Sequence, residues 1–276
     1  MTEPKHILLT GASAGIGEAT AKTLLARGHR VWGTSRSTER LKQIDGLHPL
    51  ELDLVDPSSI AIAMAQGMEQ SGGFDVVINN AGNGIWGPVE ALGEDEVRRQ
   101  FQVLVFGPMQ VIRGTLPAMR ARGGGLIINV TSLAAEFAVP FLGSYSAAKA
   151  AMSSLSWALQ MELQGQPIHV VDLRPGDICS EFHKKMTFSQ NALPEYQENL
   201  DRALAVYNNN MQKAPAPERV AERVGALVDS RPGRYRSVAV GGVFQASIAP
   251  FLSRFASTAL LRWSTSRYFN LRSGRN

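Results

Sequence analysis

Seven short aliphatic and β-branched runs recur along this chain, and longer amphipathic stretches separate them. The runs are HILLT at 6–10, RVWGT at 30–34, LHPLELD near 50, FDVVINN at 74–80, GLIINVTS at 125–132, IHVVDLRP at 168–175 and SVAVG at 237–241. Runs that stay apolar suit strands covered on both faces, and the separating stretches are long enough for crossover helices. The expected fold is therefore α/β: a single-domain Rossmann-type, doubly wound parallel sheet of about seven strands with helices on both faces. Asp56-Pro57 marks a helix start, and Pro108, inside a helical pattern, marks a kink or register break.

The 276 residues suit one such core, and a composition 44 % apolar and 19 % charged is that of a globular protein. Residues 1–245 are expected to form the main body, which carries the site. Within it, 181–217 is too long for an ordinary connection and reads as a substrate lid. It mixes Phe182, Met186, Phe188, Leu193, Tyr196 and Tyr207 with Lys184 and Lys185, and AGNGIWGPV brings Trp86 near the expected site mouth. Such walls suit a fairly hydrophobic small molecule.

Residues 246–276 form a tail in which Ile248, Phe251, Leu252, Phe255, Ala259, Leu260 and Trp263 fall at helical spacing. Its arginines, Arg254, Arg262, Arg267 and Arg272 among them, leave three readings open: packing on the chain's own body or a neighbouring subunit, peripheral contact with an anionic membrane, or lining the substrate entrance. The net charge is +4, but residues 245–276 hold five arginines and no acid, so the remaining 244 residues carry −1. That balance argues against a nucleic-acid surface on the body.

The only cysteine, Cys179, excludes an intrachain disulfide framework and a cysteine zinc site. It is expected to be packed and inert. No metal site is expected, and the chain reads as cytoplasmic, or peripheral to a membrane through the tail. Met1–Thr10 has none of the marks of a signal peptide, and no apolar run is long enough to span a bilayer.

LLTGASAGIGEATAKTLL sets Gly11, Gly15 and Gly17, with Ser13 and Ile16 between them, in a turn from the first strand into an amphipathic helix. Glycines there let the backbone approach a pyrophosphate and aim the helix N-terminus at it. After the second strand, where an acid would bind a ribose 2′-hydroxyl, the chain has Ser35 and Arg36. A guanidinium pairs with a 2′-phosphate, so NADP(H) is preferred over NAD(H), with Arg40 a competitor for that role.

Tyr145 and Lys149, four apart, share a helical face, and Ser132 ends the preceding strand where its hydroxyl can converge on them. A nearby ammonium is expected to lower the phenol pKa by two to three units on the order of 4 kcal/mol of attraction. That makes the tyrosine a general acid and base.

Over roughly residues 5–245 the chain resembles the short-chain dehydrogenase/reductase family: TGASAGIG matches TGxxxGxG, Asn79–Gly82 matches NNAG, Tyr145–Lys149 matches YxxxK, Ser132 stands 13 before the tyrosine, and RPGDICS carries the PG motif. The resemblance implies that Tyr145 exchanges a proton with a carbonyl or alcohol, that Ser132 holds its oxygen and that Lys149 binds the nicotinamide ribose. It implies that Asp53 and Asn80 meet the adenosine side and that Ile178 and Ser180 border the carboxamide. Asp53 as a helix cap and Asn80 as a satisfier of backbone groups remain open. A homo-oligomer is also implied.

One position departs from the family. FQVLVFG places Leu104 where many members have an asparagine that holds a relay water, and Gln102 turns to another helical face. The expected activity is NADP(H)-dependent interconversion of a carbonyl and a secondary alcohol on a small, hydrophobic molecule. The alternatives are a catalytically silent NADP(H)-binding sensor or scaffold, and an NAD-linked alcohol dehydrogenase of the same fold.

Overall fold

A computed structural model of the chain describes residues 3–191, 193–230, 237–242 and 255–271. All seven expected runs form strands of one parallel sheet, in the order β3-β2-β1-β4-β6-β7-β9. These are β1 (His6–Leu9), β2 (Arg30–Ser35), β3 (His48–Glu51), β4 (Val76–Asn79), β6 (Gly125–Val130), β7 (Ile168–Pro175) and β9 (Ser237–Val240). The order runs outward from β1 to β3, then returns to β4 on the other side of β1. Its reversal between β1 and β4 opens a crevice at the carboxyl ends of the strands, where ligands bind in doubly wound sheets.

Helices cover both faces, as the two-sided burial of the strands requires. On one face α1 (Gly15–Ala26) packs on α7 (Glu218–Asp229) over Ile7, Leu9, Val31, Ile78 and Ile128. On the other, α2 (Pro57–Ser71) packs on α4 (Gly107–Ala121) over Leu8, Trp32, Val77 and Ile127. Alternate residues of the central strands feed opposite cores, so neither face tolerates a polar substitution.

Local chemistry sets several boundaries. Asp56 caps α2 by accepting from the Ser58 amide, with Pro57 in the first turn, and Gly72 ends the helix at φ +68. The helix that precedes α4, α3 (Glu94–Phe101), runs into a π-turn over Gln102–Phe106 before α4 starts at Gly107. This is the register break that Pro108 signalled: a residue without an N–H follows a wider turn instead of interrupting an α-turn.

The segment 181–217 is ordered secondary structure, not a bare loop. It holds β8 (Thr187–Phe188), which pairs in parallel with β5 (Ile85–Trp86), and the long α6 (Pro194–Lys213). Two-residue strands carry no periodicity, so the sequence gives no sign of them. Glycine permits the approach: a Cβ at Gly84 would stand 3.0 Å from Met186, and one at Gly87 would stand 2.9 Å from Ser189.

In the tail, α8 (Thr258–Tyr268) forms, while Ile248, Phe251, Leu252, Arg254 and Arg272 lie outside the described residues. The face that packs is not the expected one. Leu261 and Thr265 are half-buried and Phe269 is buried, whereas Phe255, Ala259, Leu260 and Trp263 are exposed. Helical spacing identifies a stripe but not its partner, and the smaller Leu261–Thr265–Phe269 row fits against the body. Among the described residues no helix is long and apolar enough to cross a membrane.

Candidate active site

A cavity of about 1270 Å³ runs from the glycine-rich turn, past Tyr145, to the lid and α8. Every residue singled out for catalysis or cofactor contact lines it: Gly11, Ser13, Gly15, Ile16, Gly17, Arg36, Asp53, Asn80, Ser132, Tyr145, Lys149, Ile178 and Ser180.

At the turn, Gly11 (φ +70) and Gly15 (φ +56) adopt left-handed backbone that disfavours side chains. Gly17 is required by packing, since a Cβ there would sit 2.0 Å from the Gly11 carbonyl and 2.6 Å from Asn80 Nδ2. Ala14 caps α1 without a side-chain hydrogen bond, which leaves the first-turn amides facing the cavity. That donor set fits a diphosphate.

Ser35 donates to Ser13 Oγ at 3.1 Å, and Arg36 beside it makes no ion pair among the described residues. Arg40, its competitor, points at Glu181 (3.4 Å) and does not line the cavity. The residues present thus fit an adenosine dinucleotide.

Asn80 does brace backbone: its Nδ2 donates to the carbonyls of Thr10 (3.0 Å) and Gly11 (3.2 Å). The Asp53 carboxylate accepts from the Val55 amide at 2.9 Å, closing a local turn. It does not cap the following helix, since Asp56 does so. Both residues keep a surface on the cavity.

α5 (Gly143–Glu162) presents Tyr145 and Lys149 on one face, and small buried residues, Ser144, Ser146, Ala148 and Ser153, let it lie close to the sheet. Ser132 Oγ accepts from the Ala134 amide at 3.0 Å, which fixes its rotamer, and hydrogen-bonds the Tyr145 phenol. Lys149 Nζ donates to the Val130 carbonyl at 2.7 Å and lies 5.7 Å from the Tyr145 ring centroid.

The electrostatics correct one expectation. Burial pushes the Tyr145 phenol up to about 12, and only the Ser132 hydrogen bond opposes it. Lys149 is itself pushed down to about 8 by burial, with Asp172 opposing. The ammonium does not lower the phenol, because its proton is directed at the Val130 carbonyl while desolvation penalises both charges. In this state Tyr145 is a neutral phenol, ready to donate.

A buried ionic network beneath Lys149 was missed in the sequence. Asp172, 3 % exposed, accepts from Thr131 Oγ1, from Ser153 Oγ at 2.6 Å and from Arg174 Nε at 2.8 Å. Arg174 also reaches Ser153 Oγ (2.7 Å) and Glu136 (2.9 Å), joining β7 to α5 and to the loop after Ser132. The signal was present: Asp and Arg two apart on one face of an otherwise apolar strand.

Leu104 lies in the π-turn, 2 % exposed, in an apolar cluster with Val105 and Ala148 against which Tyr145 and Leu155 pack. Gln102 does not replace the missing asparagine, since its Nε2 donates to the Leu54 carbonyl at 3.1 Å. Cys179 is exposed, contrary to the expectation of a packed thiol; Ile178 is buried, and alternation turns its neighbour outward. Among the described residues no cluster of three or more metal-ligand side chains exists.

The lid supplies the far wall. Phe182 meets Tyr145 at 5.9 Å between ring centroids, and Tyr207 meets Trp86 edge-on at 5.1 Å. Burial, with Tyr145 and Asp177 adding, holds the Tyr207 phenol above its usual range. Glu96 anchors the lid from α3: it accepts from Ser189 Oγ (3.0 Å), the Gln190 amide (3.1 Å) and the Gly93 amide (2.8 Å). Burial works against the Glu96 carboxylate, but these three donors hold it below its usual range.

Comparison with known proteins agrees with this fold. The short chain dehydrogenase family model matches residues 5–191. A 3-ketodihydrosphingosine reductase of Bacteroides thetaiotaomicron is 32 % identical over 237 residues, covering 85 % of this chain and 87 % of that protein. Among solved structures, a short-chain dehydrogenase from Streptomyces avermitilis superposes with a TM-score of 0.81 at 30 % identity, covering 96 % of this chain and 97 % of that one. An alcohol dehydrogenase from Thermococcus sibiricus, complexed with 5-hydroxy-NADP, gives a TM-score of 0.73 at 26 % identity over 88 % of this chain and 98 % of that one.

Proposed function

Because the chain belongs to the short-chain dehydrogenase family of oxidoreductases, we propose that it reduces a hydrophobic, lipid-like ketone to a secondary alcohol with NADPH. The observation that carries the reading is the neutral Tyr145 phenol, hydrogen-bonded to Ser132, on the wall of a cavity that continues from the phosphate-binding turn to an aromatic lid. Carbonyl reduction needs an acid at the oxygen, and a neutral phenol is one.

NADPH, when bound, supplies the hydride. The chain's own residues do the rest. Ser132 orients the carbonyl oxygen, and Tyr145 delivers a proton to it as negative charge develops there. Lys149, which lines the same cavity with its ammonium fixed by the Val130 carbonyl, would hold the nicotinamide ribose. The Asp172–Arg174 network keeps that lysine and the Ser132 loop in register. Arg36, without a carboxylate partner among the described residues, pairs with the 2′-phosphate.

The aromatic far wall and the cavity volume support a long-chain substrate, and likeness to the Bacteroides reductase supports the same class. A silent NADP(H)-binding protein is the second reading, and Leu104 is what favours it. The protein also reads as a homo-oligomer, since Trp157 and Met161, four apart on α5, are exposed with Phe106; light scattering on the purified protein tests this.

The deciding experiment follows NADPH and NADH oxidation with long-chain, aromatic and aliphatic ketones, for the parent, Tyr145→Phe and Arg36→Asp. Turnover with NADPH should fall by about 10²–10⁴-fold in Tyr145→Phe. Arg36→Asp should raise KM for NADPH about 10- to 100-fold, the value of a lost charge-assisted contact, and improve use of NADH. NADPH binding without turnover on any ketone would favour the silent reading, and equal use of both cofactors by the parent would remove the role given to Arg36.

A further inference from the structure

The tail helix presents two different surfaces. Its inner side, Leu261, Thr265 and Phe269, closes one end of the cavity, and Arg202 and Asn210 of α6 hydrogen-bond the Asn270 carbonyl (3.4 Å) and the Tyr268 hydroxyl (2.7 Å). Its outer side is apolar, aromatic and basic without any acid. Phe255 is 77 % exposed, Trp263 62 % and Leu260 52 %. With Tyr268 they are four of the ten large hydrophobic side chains exposed among the described residues. Trp263, Arg267 and Leu260 fall on one helical face at spacings of three and four, and the Arg267 guanidinium lies 5.9 Å from the Trp263 ring centroid.

We propose that this outer face docks on an anionic phospholipid surface, with the cavity mouth beside it opening toward the lipid. Three observations select that occupant. The Trp263 indole and Phe255 phenyl groups are amphipathic or apolar and largely exposed, as side chains that enter the headgroup boundary are. Arg262 and Arg267 make no ion pair among the described residues, and residues 245–276 hold five arginines and no acid. A second copy docked by the same face would set arginine against arginine, which disfavours a symmetric contact. Finally, Leu260 belongs both to the exposed face and to the cavity lining, so an apolar path joins the docking face to the site.

The test is flotation of the full chain with vesicles of phosphatidylcholine alone and of phosphatidylcholine mixed with phosphatidylglycerol, in low and in high salt. The parent should float with the mixed vesicles, bind the neutral ones weakly and be partly released by salt. Arg262→Gln with Arg267→Gln should weaken binding by about 25-fold, at about fivefold per arginine. Phe255→Ser with Trp263→Ser should remove binding in both salts. None of these four residues lines the cavity, so each variant should keep the parent's unfolding temperature, which shows that it is folded.

Failure of the parent to float with anionic vesicles, or equal flotation with neutral ones, would overturn the proposal. So would variants that bind as the parent does. Self-association of the parent that Phe255→Ser with Trp263→Ser abolishes, without lipid binding, would assign the face to a second copy instead. No step of this assay depends on turnover, so its outcome stands apart from that of the ketone assay.

Discussion

Leu104→Asn would place at this position the residue common in the family, and the structure says that it damages the protein instead of repairing it. The leucine is 2 % exposed and packed with Val105 and Ala148. Removing it from that cluster forfeits about 2–3 kcal/mol of burial. The asparagine amide would then be buried where Gln102 is already committed to the Leu54 carbonyl, at a further cost of about 1–3 kcal/mol for an unpaired polar group. The sum, about 3–6 kcal/mol, is a large part of the stability of an ordinary domain, which is about 5–15 kcal/mol. Leu104→Met keeps volume and polarity and should cost less than about 1.5 kcal/mol. Urea unfolding followed by circular dichroism reads the stability of all three proteins, and NADPH oxidation reads their activity. Because Tyr145 packs on the same cluster, Leu104→Asn should lose activity along with stability. An asparagine variant that unfolds at the parent's midpoint, or turns over faster, would show that the site has room and partners for a hydrogen-bonding group, and would refute this reasoning.

The remaining predictions concern charge and the lid. Lys149, at about 8 in the folded chain against an ordinary 10.5, releases its proton before the unfolded chain does. Stability should therefore rise with pH between about 8 and 10.5, by about 1.4 kcal/mol per unit from this group, and Lys149→Met should flatten that slope in urea titrations. Tyr145, at about 12 against 10, holds its proton longer than the unfolded chain, so its contribution should fall as pH rises from 10 to 12, and Tyr145→Phe should remove that fall. Asp172→Asn strands Arg174 in a half-satisfied network and should cost about 3–5 kcal/mol in urea unfolding, whereas a loss below about 1 kcal/mol would show the network to be dispensable. Glu96→Gln weakens the anchor at Ser189 and Gln190; KM for a hydrophobic ketone should rise several-fold with kcat nearly unchanged, and an unchanged KM would free Glu96 from this role.

The strands were legible because each is covered on both faces, so apolar runs survive intact in the sequence from HILLT to SVAVG. The site was legible where its residues adjoin in sequence, as in TGASAGIG, or sit one helical turn apart, as in Tyr145 and Lys149. What could not be read depends on contacts between distant segments. The β5–β8 pairing joins two-residue strands about a hundred residues apart in the chain, and no local pattern specifies it. The tail stripe was visible, but which row packs depends on the surface it meets, and the row with the larger side chains stayed outside. The Tyr145 pKa was misjudged because spacing shows that an ammonium is near and says nothing of where its proton points or how much water is lost. Cys179 was taken as packed because free cysteine is among the residue types most often buried, although Ile178 occupies the inward position.

The lid and the tail helix are joined by the bonds from Arg202 to Asn270 and from Asn210 to Tyr268, while the lid's other end is clasped by Glu96. The α6 helix thus lies between two sets of bonds, one to the tail helix and one, through Ser189 and Gln190, to α3. The Glu96 end is held by two lid donors, Ser189 Oγ and the Gln190 amide, and the tail end by two bonds, to Tyr268 and Asn270. Tyr207, whose ring meets Trp86, lies on α6 between Arg202 and Asn210. One helix thus carries both the aromatic wall of the cavity and the bonds that seat the tail helix.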